Sequence, residues 1–282
     1  QWSAGGTLRY DPGPKHRLTA AGDYSRLALD GVDEAAGSAI IDRAQVQEQT
    51  SLRLSQRYDP TERVRWENRA AYGLFRDQYL LNQRGGTALD DYEQNREQLL
   101  TYSSLLHVRG PSWLTSSLGV DLLSQRLRSP RLSSSGRRER VGVFAQEDFR
   151  VWHSDKQTLR IVPGLRFDWD SQFGYQFSPK IALRYDPHPS VILRASYGRG
   201  FRAPSFQELL LRFENPSVGY VVTGNPNLRA ERSHGVDVSA EWTPATWAAL
   251  TVALFRNDLR GMITTVTSDE GDATGTVFTY DN

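Results

Sequence analysis

The feature that most restricts the fold is a strict alternation of apolar and polar residues between positions 159 and 185. Two runs of apolar residues each occupy a single parity of residue number, and a short polar loop separates them: Leu159, Ile161, Pro163, Leu165, Phe167 and Trp169, then Phe177, Pro179, Ile181, Leu183 and Tyr185. The positions between them are mostly charged, polar or small. Successive side chains of a β-strand point to opposite faces, so each run has one apolar and one polar face. The sequence is therefore interpreted first as β-sheet.

Composition narrows the classes of function. The 282 residues include 34 basic and 33 acidic side chains, a net charge of +1, so the chain lacks the positive field of a nucleic-acid binder. There is no cysteine, which excludes disulfides, thiolate metal sites and cysteine nucleophiles. Mean hydropathy is −0.55. This value does not exclude a membrane β-barrel, because lipid-facing and lumen-facing residues alternate along each of its strands.

Connections of two lengths alternate along the chain. Short turns rich in Pro, Asp or Gly fall at 11–14, 59–62, 110–112, 153–156, 186–189 and 243–245. Longer, mostly polar connections fall at 30–41, 77–93, 126–137, 171–174, 203–230 and 267–274. Up-and-down barrels of the outer membrane carry short periplasmic turns and long external loops. We count about 13 strands, with partial strands at both ends of the chain. Many of them are longer than the roughly 9–11 residues that span a bilayer.

Aromatic residues accompany the short turns, as an aromatic girdle at one membrane interface would require. They are Tyr10, Tyr58, Trp113, Trp152, Tyr185, Trp242 and Trp247. Trp152 falls on the wrong parity for its strand. The alternative is that Trp and Tyr merely end strands, as they do in soluble sheets.

Two short motifs carry a family resemblance. Phe-Arg-Ala-Pro occupies 201–204 and Asn-Pro-Asn-Leu occupies 225–228. In this order and spacing they resemble boxes of the TonB-dependent receptors of the bacterial outer membrane. The segments at 144–147, 163–168, 178–180 and 280–282 support the resemblance, which is strongest after about residue 140.

The resemblance implies an antiparallel up-and-down transmembrane β-barrel of 22 strands, of which residues 1–282 would supply about 13. It also implies an N-terminal plug domain, absent from this chain, through which the TonB complex energises import. Because the chain starts at Gln1 and has a lone methionine, Met262, we expect a fragment. The expected protein is a monomeric outer-membrane receptor, in contact with lipid and lipopolysaccharide, for a small-molecule ligand such as a ferric siderophore or cobalamin.

No catalytic motif occurs, so we expect no enzyme and no metal site. The five histidines are scattered, and G-x-S-x-G, P-loop and H-E-x-x-H patterns are missing. Haem receptors of the resembled family typically place a histidine between the two boxes. None lies between Pro204 and Asn225, so haem is disfavoured and no cofactor is expected.

Two groups of residues are candidates for binding. The external loop that holds the boxes offers Gln207, Glu208, Arg212, Tyr220, Asn225 and Asn227 as ligand contacts. A structural role for the boxes is the alternative, because their prolines and Gly224 suggest rigid anchors. A second loop and its flanks offer Arg128, Arg131, Arg137 and Arg138 for lipopolysaccharide phosphates or another anion, with a solvated basic loop as the alternative.

Two other classes of protein stay open at this point. A passive porin or a non-transporting barrel adhesin would share the strand pattern but need neither the paired boxes nor a plug. A soluble β-solenoid or propeller would show a fixed repeat of about 20–50 residues, whereas here only the turn chemistry recurs.

Overall fold

The computed structural model describes residues 1–35, 39–154, 157–215, 219–268 and 276–282, and most of these residues lie in β-strands. No helix in these ranges is long and apolar enough to cross a membrane. The elements are β1 (Trp2–Gly13), β2 (His16–Ala35), β3 (Ala39–Thr61), β4 (Val64–Gln83), β5 (Asp91–Arg109), β6 (Leu114–Arg128), β7 (Gly136–His153), β8 (Thr158–Asp170), β9 (Gly174–His188), β10 (Val191–Arg202), α1 (Phe206–Leu210), β11 (Arg212–Asn215), β12 (Tyr220–Thr223), β13 (Glu231–Ala245), β14 (Ala248–Arg260), β15 (Thr264–Thr267) and β16 (Thr276–Asp281).

Twelve strands form one antiparallel sheet in which neighbours in sequence are neighbours in space. The order is β1 through β10, then β13 and β14. The sheet stays open, with β1 and β14 at its edges. This arrangement confirms the predicted all-β, up-and-down architecture of a partial barrel.

The prolines of the short turns coincide with irregular pairing. The strand register shifts between Tyr10 and Gly13, between Tyr58 and Thr61, and again between Trp242 and Ala245. Each interval contains a proline, which has no N–H to donate to the ladder. All the short turns lie at one end of the sheet because the strands simply alternate in direction, as the loop sorting predicted.

Two of the predicted long loops are mostly strand. Only 36–38 separate β2 from β3, and only 84–90 separate β4 from β5. The polar side chains of these extensions bind one another across the sheet: Gln45 donates to Asp77 at 3.0 Å, and Arg84 forms a bidentate pair with Asp42 at 2.6 and 2.9 Å. Polarity alone suggested loops at 30–41 and 77–93, and that interpretation is wrong because strand pairing and cross-strand polar contacts continue through most of both segments.

The last strand segment belongs to a separate sheet. β16 was predicted to be a partial barrel strand, but it pairs parallel with β12 and antiparallel with β15, in a four-stranded sheet completed by β11. The barrel sheet therefore has twelve strands rather than about 13. The small sheet joins the loop between β10 and β13 to the segment after β14.

The two faces of the large sheet differ as the alternation predicted. Leu165, Ile181 and Leu193 are 55%, 42% and 39% exposed, so no second layer covers them. We call their side the outer face. The opposite side, the inner face, carries the buried carboxylates of Asp168 and Asp170.

A β-bulge places Trp152 on the outer face, the face of the predicted aromatic girdle. The pairing of β7 with β8 shifts between Arg150 and Trp152, which makes Val151 the extra residue. Trp152 then lies opposite Leu159, on the outer face, and is 60% exposed. A strict count of parity failed here because a bulge reverses the face of every later residue in its strand.

Candidate functional site

The loop between β10 and β13 begins with a capped helical turn, α1. Ser205 at the N-cap accepts a hydrogen bond from the backbone N–H of Glu208 at 3.2 Å, and the Glu208 carboxylate accepts from the Ser205 N–H at 2.7 Å. This reciprocal capping box explains why Ser-Phe-Gln-Glu starts a helix directly after Pro204. Phe206 and Leu209 are buried beneath the turn.

Arg202, the arginine of the Phe-Arg-Ala-Pro box, joins both ends of the loop. It donates to Glu231, the first residue of β13, at 2.6 and 2.7 Å, and to Glu208 at 3.0 and 3.1 Å. Glu231 also accepts from the backbone N–H of Ile263 at 2.8 Å. One guanidinium thus holds a carboxylate inside the 28-residue loop 203–230, that of Glu208, and the carboxylate that directly follows the loop, that of Glu231.

Glu208 lies in α1, outside the membrane-spanning strands, and the pKa of its carboxyl group is shifted. Burial raises the pKa of Glu208, but the hydrogen bonds from Arg202 and Ser205 outweigh that cost, so the pKa lies below its usual value of 4.5. Glu208 therefore stays ionised against Arg202 at neutral pH.

Asn225, which opens the second box, is bonded on every side. Its backbone N–H donates to the Glu208 carbonyl at 2.8 Å, and its side-chain amide donates to the Tyr280 carbonyl at 2.9 Å. The Asn225 side-chain oxygen accepts from the N–H of Asn227 at 2.9 Å. The preceding Gly224 touches the helix end so closely that a Cβ there would lie 2.5 Å from the backbone of Leu209. The box packs against α1 as a rigid unit.

The loop between β6 and β7 also supports α1. The ring of Phe206 lies over Gly136, where a Cβ would be 2.6 Å from the ring. Backbone bonds run from Ser133 N–H to the Leu210 carbonyl at 2.8 Å and from Arg212 N–H to the Arg131 carbonyl at 2.7 Å. Two external loops and the chain end therefore meet at α1. Sequence reasoning missed this meeting, although a glycine at the start of a strand, Gly136, was a usable signal.

The six candidate ligand contacts separate into two kinds. Glu208 and Asn225 are engaged in the anchoring bonds just described, which favours the structural role for them. Tyr220 is half-buried between the rings of Phe213 and Phe278. Gln207, Arg212 and Asn227 are exposed at the surface of the loop. Ligand contact by any of the six stays a prediction.

The predicted basic cluster is divided between surfaces. Arg138 is directed to the inner face, where its Nε donates to the buried carboxylate of Asp170 at 2.7 Å. Arg131 pairs with Glu93 at 2.8 Å. Arg137 pairs with a neighbouring glutamate at 2.7 Å. Arg128 is exposed, and no carboxylate in the described ranges pairs with it. Anion binding by these arginines stays a prediction, and Arg138 is the least available of them.

Glycines make room for an ion-pair cluster on the inner face. Arg166 donates to Asp121 at 2.6 Å and to Asp168 at 2.7 and 2.8 Å. A Cβ on Gly142 would lie 2.3 Å from the Arg166 guanidinium and 2.6 Å from the Asp168 carboxylate. Arg166, Asp121 and Asp168 on the inner face therefore have charged partners, as buried charges require. Asp121 and Gly142 were not recognised from the sequence, and cross-strand register would have been needed to find them.

Comparisons with known proteins agree with this geometry. A family model described as "TonB dependent receptor-like, beta-barrel" matches residues 1–282. The Ferrienterobactin receptor of Escherichia coli is 28% identical over 158 residues, 51% of this chain and 19% of that protein. The vitamin B12 transporter BtuB of Vibrio vulnificus is 30% identical over 121 residues, 43% of this chain and 18% of that protein.

A solved structure shows the same fold. The ferric enterobactin receptor PfeA of Pseudomonas aeruginosa, in a mutant form, superposes with a TM-score of 0.77 at 18% identity. The match covers 99% of this chain and 46% of that one, so the chain spans about half the length of its structural neighbour. The sheet is an outer-membrane sheet, and the chain belongs to the TonB dependent receptor-like beta-barrel family.

Proposed function

We propose that the protein is an outer-membrane receptor that binds a ferric siderophore and imports it with energy relayed by TonB. The observation that carries the proposal is the bonding of both boxes into one anchor. Arg202 of the first box binds Glu208 and Glu231 at 2.6–3.1 Å, and Asn225 of the second box donates to the Glu208 carbonyl at 2.8 Å. A passive pore has no need of a rigid anchor at the base of a long external loop. A receptor does, because the loop must present its contacts in a fixed place.

Siderophore and cobalamin are the two ligand classes to separate. One matched relative is named a Ferrienterobactin receptor and another a vitamin B12 transporter, so similarity alone supports both. The absence of histidine between Pro204 and Asn225 disfavours haem. We favour a siderophore because exposed Arg212 suits the carboxylate or catecholate oxygens of such a chelate.

The proposed contacts lie on the exposed surface of the anchored loop. Gln207 lies in α1, Arg212 begins β11 directly after it, and Tyr220 begins β12 of the small sheet. The anchor fixes their backbone while leaving the Gln207 and Arg212 side chains exposed, with Arg212 paired to Glu214 at 3.3 Å. The plug that family members carry would face the charged inner face, and TonB would act through that plug.

Uptake by the complete receptor tests the proposal. A strain that expresses it as its only siderophore receptor should accumulate ⁵⁵Fe-siderophore and lose accumulation when TonB is deleted. Labelled cyanocobalamin and haemin, assayed in the same cells, test the other ligands.

The double variant R212Q/Q207A should raise the half-saturating siderophore concentration about tenfold, the loss of roughly 1.4 kcal/mol of contact energy. Its matched control is R256Q, which removes an exposed arginine on β14. Uptake that persists without TonB would identify a passive pore, and uptake of cobalamin alone would replace the siderophore.

A further inference from the structure

Four arginines and one glutamate form a row across five strands of the large sheet. Arg26 on β2 lies opposite Glu48 on β3, which lies opposite Arg76 on β4; Arg76 lies opposite Arg96 on β5, and Arg96 opposite Arg128 on β6. Directly paired residues share one face of a sheet, so these side chains project together. At about 4.8 Å between strands, the row is roughly 19 Å wide. We call it the arginine row.

The arginine row lies on the outer face. Arg76 shares its parity on β4 with Trp66, which is 43% exposed, and Arg128 shares its parity on β6 with Leu118 and Leu122, 47% and 41% exposed. Trp66 precedes Arg76 by ten residues. Ten residues rise about 34 Å along a strand, or about 25 Å along the normal of a barrel tilted near 40°, which is the height of a lipid-facing band. Measured from Trp66, the row therefore lies at the external edge of the lipid-facing band, and exposed Leu80 and Tyr92 lie beyond it on the same face.

The row has far more positive than negative charge. Glu48, its single carboxylate, already accepts a hydrogen bond from the Tyr24 hydroxyl at 2.6 Å. No carboxylate in the described ranges forms an ion pair with Arg76, Arg96 or Arg128, and the Nε atoms of Arg76 and Arg96 are buried without a hydrogen-bond partner. Like charges placed directly opposite one another destabilise a sheet. An anion between the guanidinium groups would remove this repulsion.

Neighbouring positions extend the same surface. Arg126 lies opposite Gln98 beside the row, and Arg137 lies opposite Arg126 on the next strand. Arg137 is paired with Glu139 at 2.7 Å, whereas Arg126 is exposed. The free cations thus concentrate on β4, β5 and β6.

We infer that the arginine row binds the phosphate groups of lipopolysaccharide at the outer surface of the membrane. The site lies where the apolar band ends, it is wider than a single phosphate, and guanidinium forks match phosphate oxygens in bidentate geometry. Arg128 of the sequence-based candidates belongs to this site, while Arg131 and Arg138 are paired elsewhere. The inference rests on the outer-membrane location and not on the transported ligand.

Binding of purified lipopolysaccharide to the complete receptor in detergent tests the inference, with enzymatically dephosphorylated lipopolysaccharide as the second ligand. The triple variant R76Q/R96Q/R128Q is expected to bind the phosphorylated form at least about tenfold more weakly, since each arginine near an anionic surface contributes about a fivefold factor. E48Q, which removes the only carboxylate of the row, is expected to bind more tightly.

Two controls isolate the row. R69Q changes an arginine of β4 on the inner face, and R256Q changes an exposed arginine of β14; both should bind within twofold of the unmodified receptor. If the triple variant fails to fold, as judged by heat-dependent gel mobility, R96Q compared with R96K separates loss of charge from loss of packing. Unchanged binding by folded triple variant or by R96Q, or equal binding of dephosphorylated lipopolysaccharide, would overturn the inference.

Discussion

At the scale of single residues, glycine positions decide where charges can gather on the inner face. Gly142 lies under the Arg166 and Asp168 side chains, and Gly119 lies under the ring of Phe144, which in turn carries the Arg166 guanidinium at 5.6 Å. Neither glycine has a positive φ, so backbone freedom does not explain them. They are required because a Cβ on Gly142 would overlap the Arg166 and Asp168 side chains, and a Cβ on Gly119 would overlap the Phe144 ring.

Replacement of Gly142 by alanine is therefore expected to destabilise the receptor by about 1–3 kcal/mol, the usual cost of overpacking. The new methyl group must displace either the guanidinium or the carboxylate. Urea unfolding of the complete receptor in lipid vesicles would measure the change. Gly73→Ala is the matched control, because no atom lies within 4 Å of its added Cβ, and it should be nearly neutral. Equal effects of both substitutions would contradict this account.

Arg202 is the second residue whose removal has a defined consequence. R202Q leaves Glu208 and Glu231 facing each other without their shared cation, and we expect the loop to lose about 1–3 kcal/mol of protection. Hydrogen exchange of the amides at 206–211 would report it. R256Q breaks an exposed pair with Asp258, whose side chains are 77% and 50% exposed, and should change protection by less than about 0.5 kcal/mol. A loop that exchanges no faster in R202Q would show that the anchor is not structural.

At the scale of elements, α1 is too short to persist alone, and its stability comes from its cap and from what it packs on. Its cap is read directly from Ser205 and Glu208 in the sequence. Its packing partners are not, since Gly136 and Tyr280 are distant along the chain and only the tertiary fold brings them together.

The anchor at α1 should weaken in acid. The pKa of Glu208 is below 4.5 in the folded protein, so its contribution is fully present above about pH 4.5 and is lost as pH falls through the folded value. Hydrogen exchange of α1, corrected for the intrinsic effect of pH, should show loss of protection only as the pH falls below about 4.5. In E208Q the pH-dependent step should be smaller, because only Glu231 then titrates against Arg202. A step of the same size in E208Q would assign it to other groups.

Alternation gave the correct faces for the strands near Leu165 and Ile181, since one side of those strands is apolar throughout. It failed at 30–41 and 77–93, where apolar and polar residues do not alternate and a strand cannot be told from a loop by hydropathy. It also failed at β16, because the partner of an isolated short strand is set by the whole molecule and not by its own residues. The candidate ligand contacts could not be sorted from the sequence for the same reason, because the anchoring of Glu208 and Asn225 depends on distant chain segments.

At the scale of the whole molecule, the open edges of the large sheet limit what residues 1–282 can do alone. β1 and β14 each expose a row of backbone groups that would face lipid without partners, at a cost of several kcal/mol for each group. We therefore expect this polypeptide, refolded by itself into vesicles, to aggregate or remain outside the bilayer. Protease protection and heat-dependent gel mobility would test it. A compact monomer that survives both assays would show that the two edges can close on each other.

The parallel pairing of β12 with β16 has a mechanical consequence. Residues 220–222 are hydrogen-bonded to residues 276–278, and Asn225 holds the carbonyl of Tyr280, so two surface segments separated by the full hairpin of β13 and β14 are clasped to each other. Neither segment can move away from the other without breaking these hydrogen bonds. The loop between β10 and β13 and the segment after β14 are therefore expected to move together on the external side of the sheet.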